Sequence, residues 1–312
     1  MSGRRVLVVI AVTSAALLAP AAAAPAAAPS GTAADGPGSL SHFGLARKDC
    51  VGTARNRGSK VWYTIADGVL SDVYFPTVDN TNVETLQYVV TDGSSPTDLQ
   101  TRDMTYTVTT LDDRALGCKV TATDKDKRYR IVTTYLTDPE RETVVMDARF
   151  EALKGRRSDY RLYARLDSTL NGNGGGGSGN GGADSGGVAS QSGHTLLVGS
   201  DPVTATQAAN RDYAIPVHSA LDADRPFLEV SNGFAGADSD GLKQLEASHG
   251  LTSQFAAAST GNLVQTGRVD LGHHGDFTLA LGFADSQAGA VGAARGSLRE
   301  GFSSLERDYV RG

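Results

Sequence analysis

Between residues 60 and 93 the chain reads KVWYTIADGVLSDVYFPTVDNTNVETLQYVVTDG, and this stretch restricts the available folds more than any other. Residues 61–65, Val-Trp-Tyr-Thr-Ile, are β-branched or aromatic and run into the turn dipeptide Asp67-Gly68. Residues 69–75 follow and are stopped by Pro76, and residues 86–91 are stopped by Asp92-Gly93. Stiff, bulky side chains suit a pleated surface, and Asp-Gly and proline supply the breaks, so three tightly joined antiparallel strands are predicted. Trp62, the one tryptophan, sits beside Tyr63, Tyr74, Phe75 and Tyr88 in a chain that is only 6% aromatic. The densest part of the core is therefore expected here, with Trp62 inside it.

The same pattern continues downstream. Residues 106–109, 118–123, 129–136 and 144–152 read as strands, separated by Asp112-Asp113, by residues 124–127 and by the turn Thr137-Asp138-Pro139-Glu140. Residues 160–166 alternate with period two, placing Arg161 and Arg165 on one face and Leu162 and Leu166 on the other. Such alternation marks a half-buried antiparallel strand, with the arginine face expected in solvent. Residues 171–187, NGNGGGGSGNGGADSGG, have no side chains able to build a core and are expected to form a mobile loop. Its glycines lack the Lys-Ser/Thr partner of a phosphate loop. Further strands are predicted at 195–199, 227–231, 263–271 and 277–284, with short helices at 204–213 and 241–247.

At the end of the chain the period changes. Val291, Ala294, Leu298, Phe302, Leu305 and Tyr309 fall on one helical face, with Asp285 or Ser286 as N-cap. Four glycines between 289 and 301 weaken this helix, each by roughly 1 kcal/mol relative to alanine, so it needs a surface to pack on.

The N-terminus has the form of a secretory leader: Arg4-Arg5, an apolar run over 6–18, Pro20 and an alanine-rich stretch to Ala28. The run is shorter than the roughly 20 residues a membrane-spanning helix needs. Residues 1–28 are read as a signal peptide, cleaved near Ala23 or near Ala28, and 29–38 as a flexible mature terminus. The mature protein is expected outside the cell and off the membrane. In an exported chain the two cysteines, Cys50 and Cys118, are expected to form one disulfide, two buried thiols being the alternative. The 29 basic and 35 acidic residues leave a net charge of −6 with no long run of one sign, which argues against nucleic acid as a partner.

Catalytic signatures are missing. There is no G-x-S-x-G elbow, no H-E-x-x-H and no redox cysteine pair. Glycoside cleavage needs two carboxyl groups flanking one bond. Glu84, Glu140, Glu142, Glu151, Glu229 and Glu246 are available, but no local motif pairs them. Asp238-Ser239-Asp240-Gly241 opens like a calcium loop without its closing glutamate, and His273-His274 reads as a turn. No catalytic, cofactor-binding or metal-ligating residue is assigned.

The stretch 60–93, together with Lys48-Asp49-Cys50-Val51-Gly52-Thr53-Ala54 before it, resembles the N-terminal domain of bacterial glucodextranases and glucoamylases, glycoside hydrolase family 15. The resemblance continues through Asn171-Gly172-Asn173, Glu229-Val230-Ser231, Asn262-Leu263-Val264-Gln265-Thr266 and Leu279-Ala280-Leu281-Gly282-Phe283. It implies an all-β fold: a large antiparallel β-supersandwich of galactose mutarotase type over 39–285, with a C-terminal amphipathic linker helix over 286–312. In that family the catalytic carboxylates belong to a following (α/α) barrel, before which this chain is expected to end. The resemblance therefore implies a non-catalytic domain, reaching an α-glucan substrate through an associated catalytic domain. Two alternatives are a mutarotase-like enzyme using a histidine acid and a glutamate base, and a stand-alone sugar-binding module. His42, His194, His218, His249, His273 and His274 fit no catalytic motif.

Overall fold

The computed structural model describes residues 28–39, 45–95, 97–112, 115–172, 183–203, 205–206, 211–212 and 215–311. The leader (save Ala28), His42, Asp113 and residues 173–182 lie outside the described residues.

In chain order the strands are β1 (Thr32–Ala33), β2 (Cys50–Thr53), β3 (Trp62–Ala66), β4 (Val69–Tyr74), β5 (Thr81–Thr91) and β6 (Asp98–Leu99). After the single-turn α1 (Gln100–Asp103) come β7 (Met104–Asp112), β8 (Ala115–Asp124), β9 (Tyr129–Thr137), β10 (Thr143–Ala152) and β11 (Arg161–Gly172). Then follow β12 (Asp184–Gln191), β13 (His194–Asp201), β14 (Ala205–Thr206), β15 (Arg211–Asp212), β16 (Val217–Ala223) and β17 (Glu229–Phe234). The chain closes with α2 (Gly241–Ser248), β18 (Ala257–Gly261), β19 (Leu263–Arg268), β20 (Asp276–Ala284), α3 (Gln287–Glu300) and α4 (Phe302–Arg311).

Two large sheets face each other. One has ten strands in the order β1-β18-β12-β13-β16-β20-β10-β9-β8-β7. The other runs β17-β19-β11-β5-β4-β3-β2, with β6 added beside β5. Every pairing in them is antiparallel except β1 with β18. The expected all-β sandwich is therefore present. Aromatic contacts tie the layers together: Tyr63 to Tyr135, Phe75 to Phe283 and Tyr88 to Phe277, with ring centroids 6.2, 5.9 and 5.8 Å apart. The Tyr63 hydroxyl donates to the Tyr135 carbonyl at 2.7 Å, so its polar end is paired as a buried group requires.

The strand pattern around 60–93 folds as predicted, but Trp62 does not go inward. Tyr63 faces the core, and by alternation Trp62 points to the outer face of the smaller sheet, where it is 37% exposed. The stretch 29–38 is not a loose end. Ser30 N–H donates to the Gln254 carbonyl, β1 pairs with β18, and Asp35 accepts from Ser239 N–H. Nor does the glycine-rich segment lack structure throughout, since β11 runs on through Gly172 and β12 begins at Asp184. In place of a helix over 204–213, the described residues there form the paired strands β14 and β15. The strand expected over 227–231 is shifted to Glu229–Phe234, and that expected over 263–271 ends at Arg268.

The helix over 241–247 is present as α2, N-capped by Asp240, whose Oδ1 accepts from Leu242 N–H at 2.9 Å. The C-terminal helix is broken in two at Gly301, whose φ of 81° suits glycine. Ser286 caps α3, which lies on β20. At Gly282 an added Cβ would come within 2.7 Å of the backbone of Ala290 and Ala294, so glycine there permits the close approach. Among the described residues no helix is long and apolar enough to cross a membrane.

Candidate functional site

The glutamates singled out by sequence have separate local partners. Glu142 accepts from Lys60 N–H and Ser59 Oγ, Glu151 pairs with Arg130, Glu229 with Arg268 and Tyr163, and Glu246 with Arg102. Glu140 is mostly exposed, 4.0 Å from Arg141. Glu84 lies half-buried on β5. These positions sit on different strands, loops and helices, and their contacts are those of structural ion pairs and turn caps.

The described histidines are likewise placed by structure. His194 Nδ1 lies 3.2 Å from Asp222, a fully buried carboxylate that also takes Arg295 from α3 at 2.9 Å. His249 ends α2 in the left-handed region, with Nδ1 3.3 Å from Thr97 Oγ1. His218 is pushed below the usual histidine range by burial. His273 and His274 are exposed in the turn before β20.

The calcium-like stretch does something else. Asp238 is fully exposed, whereas Asp240 turns inward onto Arg165 of β11. Guanidinium Nη2 is 2.8 Å from Asp240 Oδ2, Nε is 3.1 Å from Oδ1, and Nη1 is 2.9 Å from Asp167 Oδ2. The arginine face expected in solvent is thus covered at Arg165, which is 6% exposed beneath the start of α2. Burial works against both charges but is outweighed: Arg165 holds Asp240 below the usual carboxylate range, and Asp167 together with Asp240 holds Arg165 above the usual guanidinium range. Among the described residues no three His, Cys, Asp or Glu side chains gather as a metal-ion group.

A buried acidic pair is invisible in the sequence. The register Ser185↔Ser200 brings Asp184 and Asp201 side by side on β12 and β13. Asp184 Oδ2 accepts from Leu170 N–H at 3.0 Å, and Asp201 Oδ1 accepts from Val203 N–H at 2.7 Å. Burial pushes Asp184 well above the carboxylate range, with the neighbouring Asp201 adding to it, and burial raises Asp201 to about 6.

The cysteines form the expected disulfide. Cys50 on β2 is bonded to Cys118 on β8, across the two layers, with Cα atoms 6.2 Å apart. On the outer face of the smaller sheet, near this edge, cross-strand register sets Thr53 opposite Trp62 and Trp62 opposite Tyr74. Val51, two residues before Thr53, shares that face and is 45% exposed. The indole N–H and the Tyr74 hydroxyl make no hydrogen bond among the described residues, and neither ring stacks on another there.

Comparison with known proteins agrees with this architecture. A glucoamylase from Clostridium sp. (strain G0005) is 33% identical over 279 residues, which is 89% of this chain and 37% of that protein. The crystal structure of a bacterial glucoamylase complexed with acarbose superposes with a TM-score of 0.80 at 30% identity, covering 90% of this chain and 38% of the other. The chain therefore spans little more than a third of each relative's length. The family described as glucodextranase, domain N, matches residues 33–312. Its lower limit falls on β1, the first strand among the described residues. With the match running over nearly the whole chain, this protein belongs to the glucodextranase domain N family.

Proposed function

We propose that the chain is a non-catalytic β-supersandwich domain of a secreted glucan-hydrolysing enzyme, packing on the domain that cleaves the glucan and binding carbohydrate beside it. The observation that carries this reading is the pair of coverages. A bacterial glucoamylase matches almost all of this chain, yet the chain accounts for only 38% of that enzyme. The structural duties of Glu142, Glu151, Glu229 and Glu246 support it, because each carboxylate is already neutralised or capped by its own neighbour. The leader-like N-terminus and the disulfide support export, since disulfides persist in oxidising compartments.

The test is a chimera in which this chain replaces the matched 279-residue segment of the Clostridium glucoamylase. A folded hybrid that releases glucose from starch supports the packing role. A hybrid whose barrel is folded and active only when this segment is cut away contradicts it.

A further inference from the structure

We propose that Trp62, Tyr74 and Val51 form a platform for the apolar face of a pyranose ring in a neutral glucan chain. This deepens the carbohydrate-binding part of the function proposed above and rests on it.

Three observations point to a neutral sugar. First, the patch is an outward sheet face on which Trp62 and Tyr74 are cross-strand neighbours. The electron-rich face of an aromatic ring attracts the polarised C–H groups along one side of a pyranose. Second, the indole N–H and phenol O–H are unpartnered among the described residues, so both can serve sugar hydroxyls while the rings stack. Third, the two charges placed beside Tyr74 are paired with each other. Lys48 is ion-paired with Asp72, which the left-handed kink at φ 46° turns out of register beside Tyr74.

Elsewhere the cationic cavity of about 200 Å³ lined by Arg157, Arg161 and Arg268 has two of its guanidiniums committed, Arg157 to the Gly272 carbonyl and Arg268 to Glu229.

Because Trp62 is the only tryptophan, the intrinsic fluorescence of the whole protein reports this one position. The protein is titrated with maltoheptaose, with isomalto-oligosaccharide and with cello-oligosaccharide, and run in gels containing starch or dextran. A saturable fluorescence change with at least one α-glucan is expected, with a dissociation constant on the order of 1 mM, together with retarded migration. Trp62→Ala should abolish the retardation, Tyr74→Ala should weaken it about tenfold, and Trp62→Phe should keep part of it. Leu153→Ala, an exposed apolar residue far along the chain, should change nothing. Unfolding curves of each variant show whether the sheet is intact. If Trp62→Phe, folded, binds like Trp62→Ala, ring stacking is not the cause and the proposal fails. Undiminished retardation in folded Trp62→Ala overturns the platform while leaving carbohydrate binding by the domain standing. No fluorescence change and no retardation with any glucan overturns both. A fluorescence shift that follows protein concentration instead of sugar identifies the patch as a protein interface and overturns the proposal.

Discussion

Arg165 and Asp240 meet as a two-pronged ion pair, 2.8 and 3.1 Å, between the middle of a central strand and the first residue before a surface helix. This contact fastens α2 onto the outer face of the smaller sheet. It accepts two charges out of water in exchange for a fixed docking geometry.

Removing one partner leaves the other buried and unpaired. Arg165→Ala is expected to destabilise the fold by about 3–5 kcal/mol, and Arg165→Lys by less, because lysine keeps the charge but loses the fork. Urea unfolding at neutral pH measures both. The sign with pH follows from Asp240, whose native pKa is depressed. Its contribution is complete above the unfolded carboxylate value, about 3.9, and disappears as pH falls through the lower native value. Asp240→Asn should therefore flatten the acid limb of the stability curve.

Asp201 has the opposite sign. Its carboxyl is raised to about 6 by burial, so its share of stability is full below about pH 3.9 and is lost as pH rises toward 6. Asp201→Asn should remove a loss on the order of 3 kcal/mol between pH 4 and 7. Urea midpoints of the variant and the parent, measured across that range, should diverge as pH rises. Parallel curves would show that the site is hydrated.

Most of the architecture could be read from the residues because antiparallel strands with one buried face alternate, and Asp-Gly and proline mark their ends. The C-terminal helix and its Ser286 cap are legible for the same local reason, through capping chemistry and period. What failed was decided at long range. Nothing in residues 160–166 says that a helix some 75 positions later will cover Arg165. The large apolar side chain of Trp62 points to the core when only its neighbours in sequence are considered. Its position on the outer face near a sheet edge depends on strand order, which local sequence does not encode. The pairing of Asp184 with Asp201 likewise exists only through register.

The disulfide joins the two layers across 68 positions of chain. Replacing both cysteines by alanine is expected to cost about 4 kcal/mol, mainly by freeing the unfolded chain. Unfolding of the Cys50→Ala, Cys118→Ala double variant measures it. A difference below about 1 kcal/mol would show that the unfolded chain is already compact.

The last helix is anchored by Tyr309, whose hydroxyl donates to the Thr53 carbonyl on edge strand β2 at 2.7 Å. Burial holds this phenol up at about 12, so the bond persists through ordinary assay conditions. Tyr309→Phe should cost about 1 kcal/mol, seen first as faster amide exchange in α4. Gly301→Ala, at a φ of 81°, should cost about as much by forcing alanine into a strained backbone.

In the function proposed above, this fold does not itself cut glucans. Glucose release from starch, dextran and isomaltose by the purified chain, followed at high enzyme concentration for many hours, tests it most directly. The expected result is release no faster than the protein-free blank. Turnover that saturates with substrate and survives re-purification would contradict it.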